Sequence, residues 1–293
     1  MSLARRSSLG DEAKTALPGL QARHPDVFGV SLRRRVQVLG TLAVLLGFAL
    51  FALYYLEFSP TRILNGIGRL GGFVMMMLPP SPEGRFLIFL EALGQTLAIA
   101  FLGTLTAALL AFPVSFLAAR NVVPNIFVHF AARRSFDVIR AVDALIWALI
   151  WINVVGLGPF AGALAIACAD FGAFGKLFSE AIEATDGKAA EGVTSTGANE
   201  LHKIRFGLIP QVMPIIASQV LYYFESNTRS ATIIGIVGAG GIGGYLSELI
   251  RVLELQQVSF LVLMILVTVS VIDLISSRLR FAMIGRSRID SAE

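Results

Sequence analysis

Charge is what this chain has least of. Asp, Glu, Lys and Arg make up 15% of its 293 residues, where a soluble domain carries about 25%. Hydrophobic residues reach 55%, and mean hydropathy is +0.74. That balance argues against a soluble enzyme and for an integral membrane protein. Cysteine is nearly absent. Cys168 stands alone in an apolar run, so no disulfide can form within one chain, and a small packing role is expected of it. The three histidines, His24, His129 and His202, are scattered. With no His-x-x-x-His or Cys-x-x-Cys pair, a metal site has no support. The phosphate-binding pattern Gly-x-x-x-x-Gly-Lys-[Ser/Thr] is also missing, so the chain is not its own ATPase. No nucleic-acid partner is expected.

One motif runs against this reading. "IIGIVGAGGIGGYL", residues 233–246, contains Gly238-x-Gly240-x-x-Gly243, the spacing of a dinucleotide-binding loop. Such a loop belongs to a βαβ unit, with an acidic residue about 20 positions on. Here Leu263 occupies that position, inside an apolar run. The glycines have another use. Six fall in the ten residues 235–244. Each weakens a helix by about 1 kcal/mol relative to alanine, and small residues let membrane helices approach closely. Either a hinge or gate near the outer membrane face, involving Gly238, Gly240, Gly241 and Gly243, or simple close packing fits them.

What the chain has in abundance is long uncharged runs. Val36–Leu56 is 21 residues without a charge, enough to cross a layer of about 30 Å. Too long for a typical signal-peptide core, it reads as a retained first span after a basic cytoplasmic tail, 1–35. "ILNGIGRLGGFVMMML", 63–78, suits an interfacial helix rather than a span, because Arg69 would lie near its centre. Ala92–Ala119 forms a second span, with Pro113 expected to kink or end it. "GLGP", 156–159, signals a tight turn between a third span, Ile139–Val155, and a fourth, Pro159–Phe178. Val212–Ile236 and Val258–Ser276 complete six.

Orientation follows from Lys and Arg. With a cytoplasmic N-terminus, the outer segments hold Arg62, Arg69, Arg85, Arg229 and Arg251, leaving 19 of the 24 basic residues inside. Both termini and the hydrophilic stretch 179–210 then face the cytoplasm. Ionisable residues inside spans invite a functional reading. Glu225 and Arg229, four apart, share a helix face and either neutralise each other or let Arg229 attract an anion. Asn227 and Thr228 between them add hydrogen-bond donors for oxyanions. Glu91, Asp143, Asp170 and Asp273 are expected near span ends, as boundary residues or helix contacts.

The stretch "EGVTSTGANELHKIRFGLIP" carries Glu191, Gly197 six residues on, Ala198, Asn199, and Ile209-Pro210 at its end. It resembles the EAA loop of ABC importer permeases, a helix–turn–helix. Gly192 and Val193 replace its alanines, Ile209 its leucine, and Gly207 a usual isoleucine. "GANELHKIRFGLIPQVMP" followed by "SNTRSATIIGIVGAGGIGGYL" is similar to the phosphonate ABC transporter permease family, over about Leu87–Leu279. The resemblance implies an all-α type I importer permease, methionine-permease-like, in the bacterial inner membrane. It implies a homodimer with a second permease copy. Two ATP-binding subunits, holding ATP and Mg, would grip the loop around Glu191–Pro210, and a periplasmic or lipid-anchored phosphonate-binding protein would dock outside. No cofactor is expected in this chain. The implied organisation is a tail 1–35, a first span with an outer segment 36–85, a permease core 86–280 and a tail 281–293. A methionine-type importer permease, a secondary transporter driven by an ion gradient, or a membrane enzyme are the alternatives. The last two lack the inverted repeats or paired carboxylates they would need.

Overall fold

The computed structural model describes residues 32–290 together with Leu17 and Gly19, and the side chains of 33–283. Most of the expected N-terminal tail and residues 291–293 of the C-terminal one lie outside the described residues. Among the described residues all regular structure is helical. Contacts divide the chain into two units, Met1–Gly71 and Gly72–Glu293.

The first unit holds α1, Leu32–Tyr55. Its uncharged part, 36–55, carries no buried residue. An uncharged, unburied helix of that length suits a lipid surrounding. Helix α2, Pro60–Met76, begins in this unit. Pro60 sits in its first turn, where a missing N–H costs nothing, and Ser59 Oγ accepts from the Arg62 amide at 3.4 Å.

The second unit contains α3 (Phe86–Leu117), α4 (Ile126–Arg140), α5 (Ala144–Val155), α6 (Pro159–Glu183) and α7 (Gly187–Ser195). One helical turn, Glu200–His202, and a π-helical segment, Lys203–Leu208, then lead into α8 (Ile209–Ile236), followed by α9 (Ile242–Arg251) and α10 (Leu255–Asp290). The most extensive contact joins α3 to α6. Lipid offers no hydrophobic drive for that contact, so close backbone approach must supply it. Ala92, Thr96, Ala100, Gly103, Ala107 and Ala111 form the buried stripe of α3, at helical spacing. A Cβ on Gly103 would lie 2.7 Å from Cβ of Ile166 on α6. Gly175 of α6 receives the ring of Phe136 from α4 in the same way.

Among the described residues five helices are long and apolar enough to cross a membrane, and a sixth crossing exists if α4 and α5 count as one bent span. The expected straight third span, Ile139–Val155, is not formed. Helix α4 ends at Arg140, Asp143 caps α5 by accepting from the Leu145 amide, and the two helices are bent by 83°. At 12 residues, α5 reaches only about 18 Å and cannot cross alone. Helix α3 runs through Pro113 and ends one turn later, at Leu117. The tight turn at 156–159 is present, with Gly156 and Gly158 at positive φ and Pro159 opening α6.

A side-chain bond fixes one end of this unit. The carboxylate of Glu183, closing α6, accepts from the Arg120 amide just beyond α3 at 2.8 Å. Helices α3 and α6 therefore finish at one face. Chain continuity then makes the bent pair α4–α5 the return crossing.

Candidate functional site

Three regions carry the residues singled out in the sequence. At the face where α3 and α6 end, α7 stands as a short capped helix. Asp186 accepts from the Lys188 amide at 3.0 Å, and Gln211 Nε2 donates to the carbonyls of Asp186 and Gly207. The chain reverses at Gly197, whose φ of +80° would strain a larger residue. Asn199 then caps the next turn by accepting from the His202 amide at 3.0 Å. Pro210 opens α8. Glu191, Gly197, Asn199 and Pro210 are exposed, while Ala198 and Ile209 are half-buried. The departure at Gly207 has a packing reason: a Cβ there would meet Cα of Ala190 on α7 at 2.9 Å. Glycine lets α7 lie directly on the π-helical segment. Beside them opens a cleft of about 640 Å³, lined in part by Asn121, Glu183, Glu191, Thr194 and Lys203. The stretch 179–210 is shorter as a loop than its polarity suggests, because α6 continues to Glu183.

Sequence reasoning missed the knot that anchors this face. Glu183 binds Arg133 Nη2 at 2.7 Å as well as the Arg120 amide. Arg120 Nε donates to His129 Nε2 at 3.0 Å, and Asn121 Nδ2 to the Ile182 carbonyl at 2.7 Å. The α3–α4 connection is thereby tied to the root of α7. His129 gave no sequence signal because Arg120 sits nine residues before it, outside its helix and off helical spacing.

The second region is the glycine run. Its middle, 237–241, forms a turn between α8 and α9, with Gly238, Gly240 and Gly241 at positive φ, while Gly235 lies in the last turn of α8 and Gly243 and Gly244 in the first turn of α9. The turn packs on two sides. The Gly158 amide donates to the Gly238 carbonyl at 3.0 Å. Gln95 Oε1 accepts from the Gly241 amide at 2.7 Å, and Thr96 Oγ1 from the Ile242 amide at 2.8 Å. Gln95 is nine residues into α3, about 14 Å along its axis, so the turn is recessed from the start of that helix. A Cβ on Gly243 would collide with the Thr232 carbonyl, and one on Gly235 would lie 2.5 Å from the Gly240 carbonyl. Backbone touches backbone at Gly235, Gly240 and Gly243, while Gly238 and Gly241 face the side chains of Leu157 and Thr96.

The third region is on α8. Glu225, Asn227, Thr228 and Arg229 do not converge on one point. Asn227 is buried and donates to Asp170 of α6 and Thr104 of α3. Thr228 donates back to the Phe224 carbonyl at 3.0 Å. Both donors expected for an anion are therefore used inside the bundle. Glu225 is buried too, with one oxygen 3.3 Å from Arg229 and the other 3.2 Å from Arg280 of α10. Arg280 also lies 4.0 Å from Asp273. The charge count places Arg229 with the outer residues; the structure places it inside α8, seven residues before its end. Of the two readings of Asp170, the helix contact holds, through Asn227, and the boundary position does not. It is not a span-end residue but lies in the body of α6, buried.

Comparison with known proteins matches residues 111–288 to the family described as the binding-protein-dependent transport system inner membrane component. The chain is 38% identical over 255 residues to the putative phosphite transport system permease protein HtxC of Stutzerimonas stutzeri, covering 87% of this chain and 90% of that one. It is 35% identical over 249 residues to the phosphate-import permease protein PhnE of Mycolicibacterium smegmatis, covering 85% of this chain and 47% of that one. A shorter match, 53% identical over 109 residues, joins it to the putative cryptic phosphonate transport system permease protein PhnE2 of Escherichia coli K12, covering 37% of this chain and 89% of that one. Among solved structures it resembles the MetNI methionine ABC transporter in an inward-facing conformation, with a TM-score of 0.61 at 16% identity, covering 69% of this chain and 99% of that one. The helical order, the recessed turn and the capped protrusion thus sit on a known fold, and the chain belongs to the binding-protein-dependent inner membrane components, the permease subunits of ABC importers.

Proposed function

We propose that this chain is the translocation subunit through which a bacterial ABC importer takes up phosphonate, phosphite or a related small oxyanion. Similarity to permeases named for those anions supports the substrate class. The single observation that carries the mechanism is the α7 protrusion. It is capped at Asp186, turned at Gly197 and seated on Gly207. A membrane subunit driven from outside needs a stiff element for its motor to hold, and a short helix seated in a partner's groove fits that need.

In this reading two ATP-hydrolysing subunits bind the segment Glu191–Pro210, and ATP and Mg stay with them. A second copy of the chain completes the pathway, and a phosphonate-binding protein delivers substrate from the opposite side. Counting the bent pair α4–α5 as one crossing makes six spans. Both termini then share the cytoplasmic side, as the Lys and Arg bias favours. Movement of α7 is transmitted through Gln211 and the π-helical segment into α8, and through the Glu183 knot into α3 and α4. At α8 the half-exposed guanidinium of Arg229 is the group offered to an anion. The glycine turn works as a close-packed seal at the other end.

The test is crosslinking in intact cells from Ser195→Cys to the ATPase subunit, paired with uptake of phosphonate and phosphite by the reconstituted transporter. A crosslinked ATPase and uptake of either anion are the expected results. Gly197→Asp should insert normally and lose uptake. Full uptake by that variant, or no ATPase captured, would overturn the coupling assignment.

A further inference from the structure

Helix α2 carries an apolar stripe that the permease reading leaves unused. At 100° per residue, Ile63, Leu64, Ile67, Leu70, Val74 and Met75 fall within an arc of about 140°. Thr61, Arg62, Asn65 and Arg69 occupy the other side, joined in the last turn by Phe73 and Met76, which line a cleft with residues 253–256. Leu64, Ile67 and Leu70 are each at least 60% exposed, and no residue of α2 is buried. The helix is too short to be counted among the candidate spans, and a span would place Arg69 in hydrocarbon at high cost.

We propose that α2 lies flat in the membrane–water interface, with Ile63, Leu64, Ile67 and Leu70 sunk among lipid chains and Arg62 and Arg69 turned to the headgroups and water. Chain connectivity argues for lipid rather than a protein partner. Four residues, Leu56–Ser59, join α2 to the end of α1, and nine, Met77–Arg85, join it to the start of α3. Both neighbours are membrane spans. A four-residue link reaches at most about 14 Å, so α2 cannot leave the bilayer surface at which α1 ends. Tyr54 and Tyr55 close α1, both largely exposed, where an aromatic pair marks the interface. A moderately apolar, strongly two-faced helix with Arg on its polar face is the kind that settles there. This inference rests on the proposed topology only for which leaflet is involved.

The test uses the full chain in its assembled transporter, with Cys168→Ala as background. Single cysteines at Leu64, Ile67 and Leu70, and at Thr61, Asn65 and Arg69, are reacted with an impermeant maleimide in intact cells. The same positions, spin-labelled in reconstituted proteoliposomes, are measured for contact with a lipid-phase relaxation agent. Polar-face cysteines should react about tenfold faster than stripe cysteines, and only the stripe should contact lipid. Uniform reactivity around the helix would overturn the proposal. So would protection of both faces, which describes a span, or protection of the stripe without lipid contact, which describes a protein cover. Reaction only after permeabilisation, with the two-faced pattern intact, would reverse the proposed orientation and leave the interfacial assignment standing.

Discussion

Asn227 holds Asp170. Its side-chain amide donates to the buried carboxylate at 2.5 Å and, with its other hydrogen, to Thr104 Oγ1 at 2.8 Å. One residue on α8 thus joins α6 and α3 in the interior of the bundle. Thr104 passes its own hydrogen to the Ala100 carbonyl. Asn227→Leu would leave the Asp170 carboxylate buried without this donor, at a cost of about 1–3 kcal/mol. Replacing both polar groups removes the orphan, so Asp170→Leu/Asn227→Leu should recover most of that loss. Thermal unfolding of the purified transporter measures it. Equal losses in single and double variants would show that the bond contributes nothing.

The glycine turn separates packing from motion through two neighbours. Gly243 is pressed against backbone atoms of Thr232, Gly235 and Ile236, whereas a Cβ on Gly244 would meet only the Gly235 carbonyl at an ordinary 3.6 Å. Gly243→Ala should destabilise the protein by about 1–3 kcal/mol, and Gly244→Ala should be near neutral. Equal loss of uptake in both, with unfolding temperatures unchanged, would favour a hinge over a seal.

The coupling segment gives an opposed pair. Gly192 lies on the exposed side of α7 with open space beyond it. Gly192→Ala should strengthen α7 by up to about 1 kcal/mol and keep uptake. Gly207→Ile would push α7 off the π-helical segment, since even a Cβ crowds Ala190. Uptake should fall while ATP hydrolysis continues. The two rates, measured together in proteoliposomes, check both variants.

These expectations depend on features the sequence reveals unevenly. The spans are legible because membrane helices must be long and uncharged, and the α5–α6 turn because Gly156, Gly158 and Pro159 allow little else. The break before Asp143 is hidden. The reading of Ile139–Val155 as one span runs straight across it, whereas α4 ends at Arg140 and α5 begins at Ala144. Asp170 follows the uncharged stretch 144–169 and so resembles a boundary residue, but it lies in the body of α6. The glycines announce close approach without saying to what. Their partners Gln95 and Thr96 lie 146 residues away. Helical spacing links Glu225 to Arg229, but only the fold brings in Arg280, 55 residues on.

That second arginine decides how the membrane charges should behave. Glu225 is buried between Arg229, whose side chain is half exposed, and Arg280, which is mostly covered. Asp273, exposed near Arg280, balances the cluster to two acids and two bases around the buried Glu225. Loss of either arginine leaves Glu225 one partner. Arg229→Gln, at the exposed side, should therefore cost at most about 1 kcal/mol of stability. If its guanidinium meets the anion, the same change should raise the KM for uptake several-fold while basal ATP hydrolysis stays constant. Arg280→Gln should lower the unfolding temperature and leave KM alone. Arg229→Gln/Arg280→Gln strands a buried carboxylate, a loss of about 3–5 kcal/mol, and should fail to accumulate in the membrane. An unchanged KM for Arg229→Gln would reduce that residue to a counter-ion of Glu225 and move the anion's contact elsewhere in the pathway.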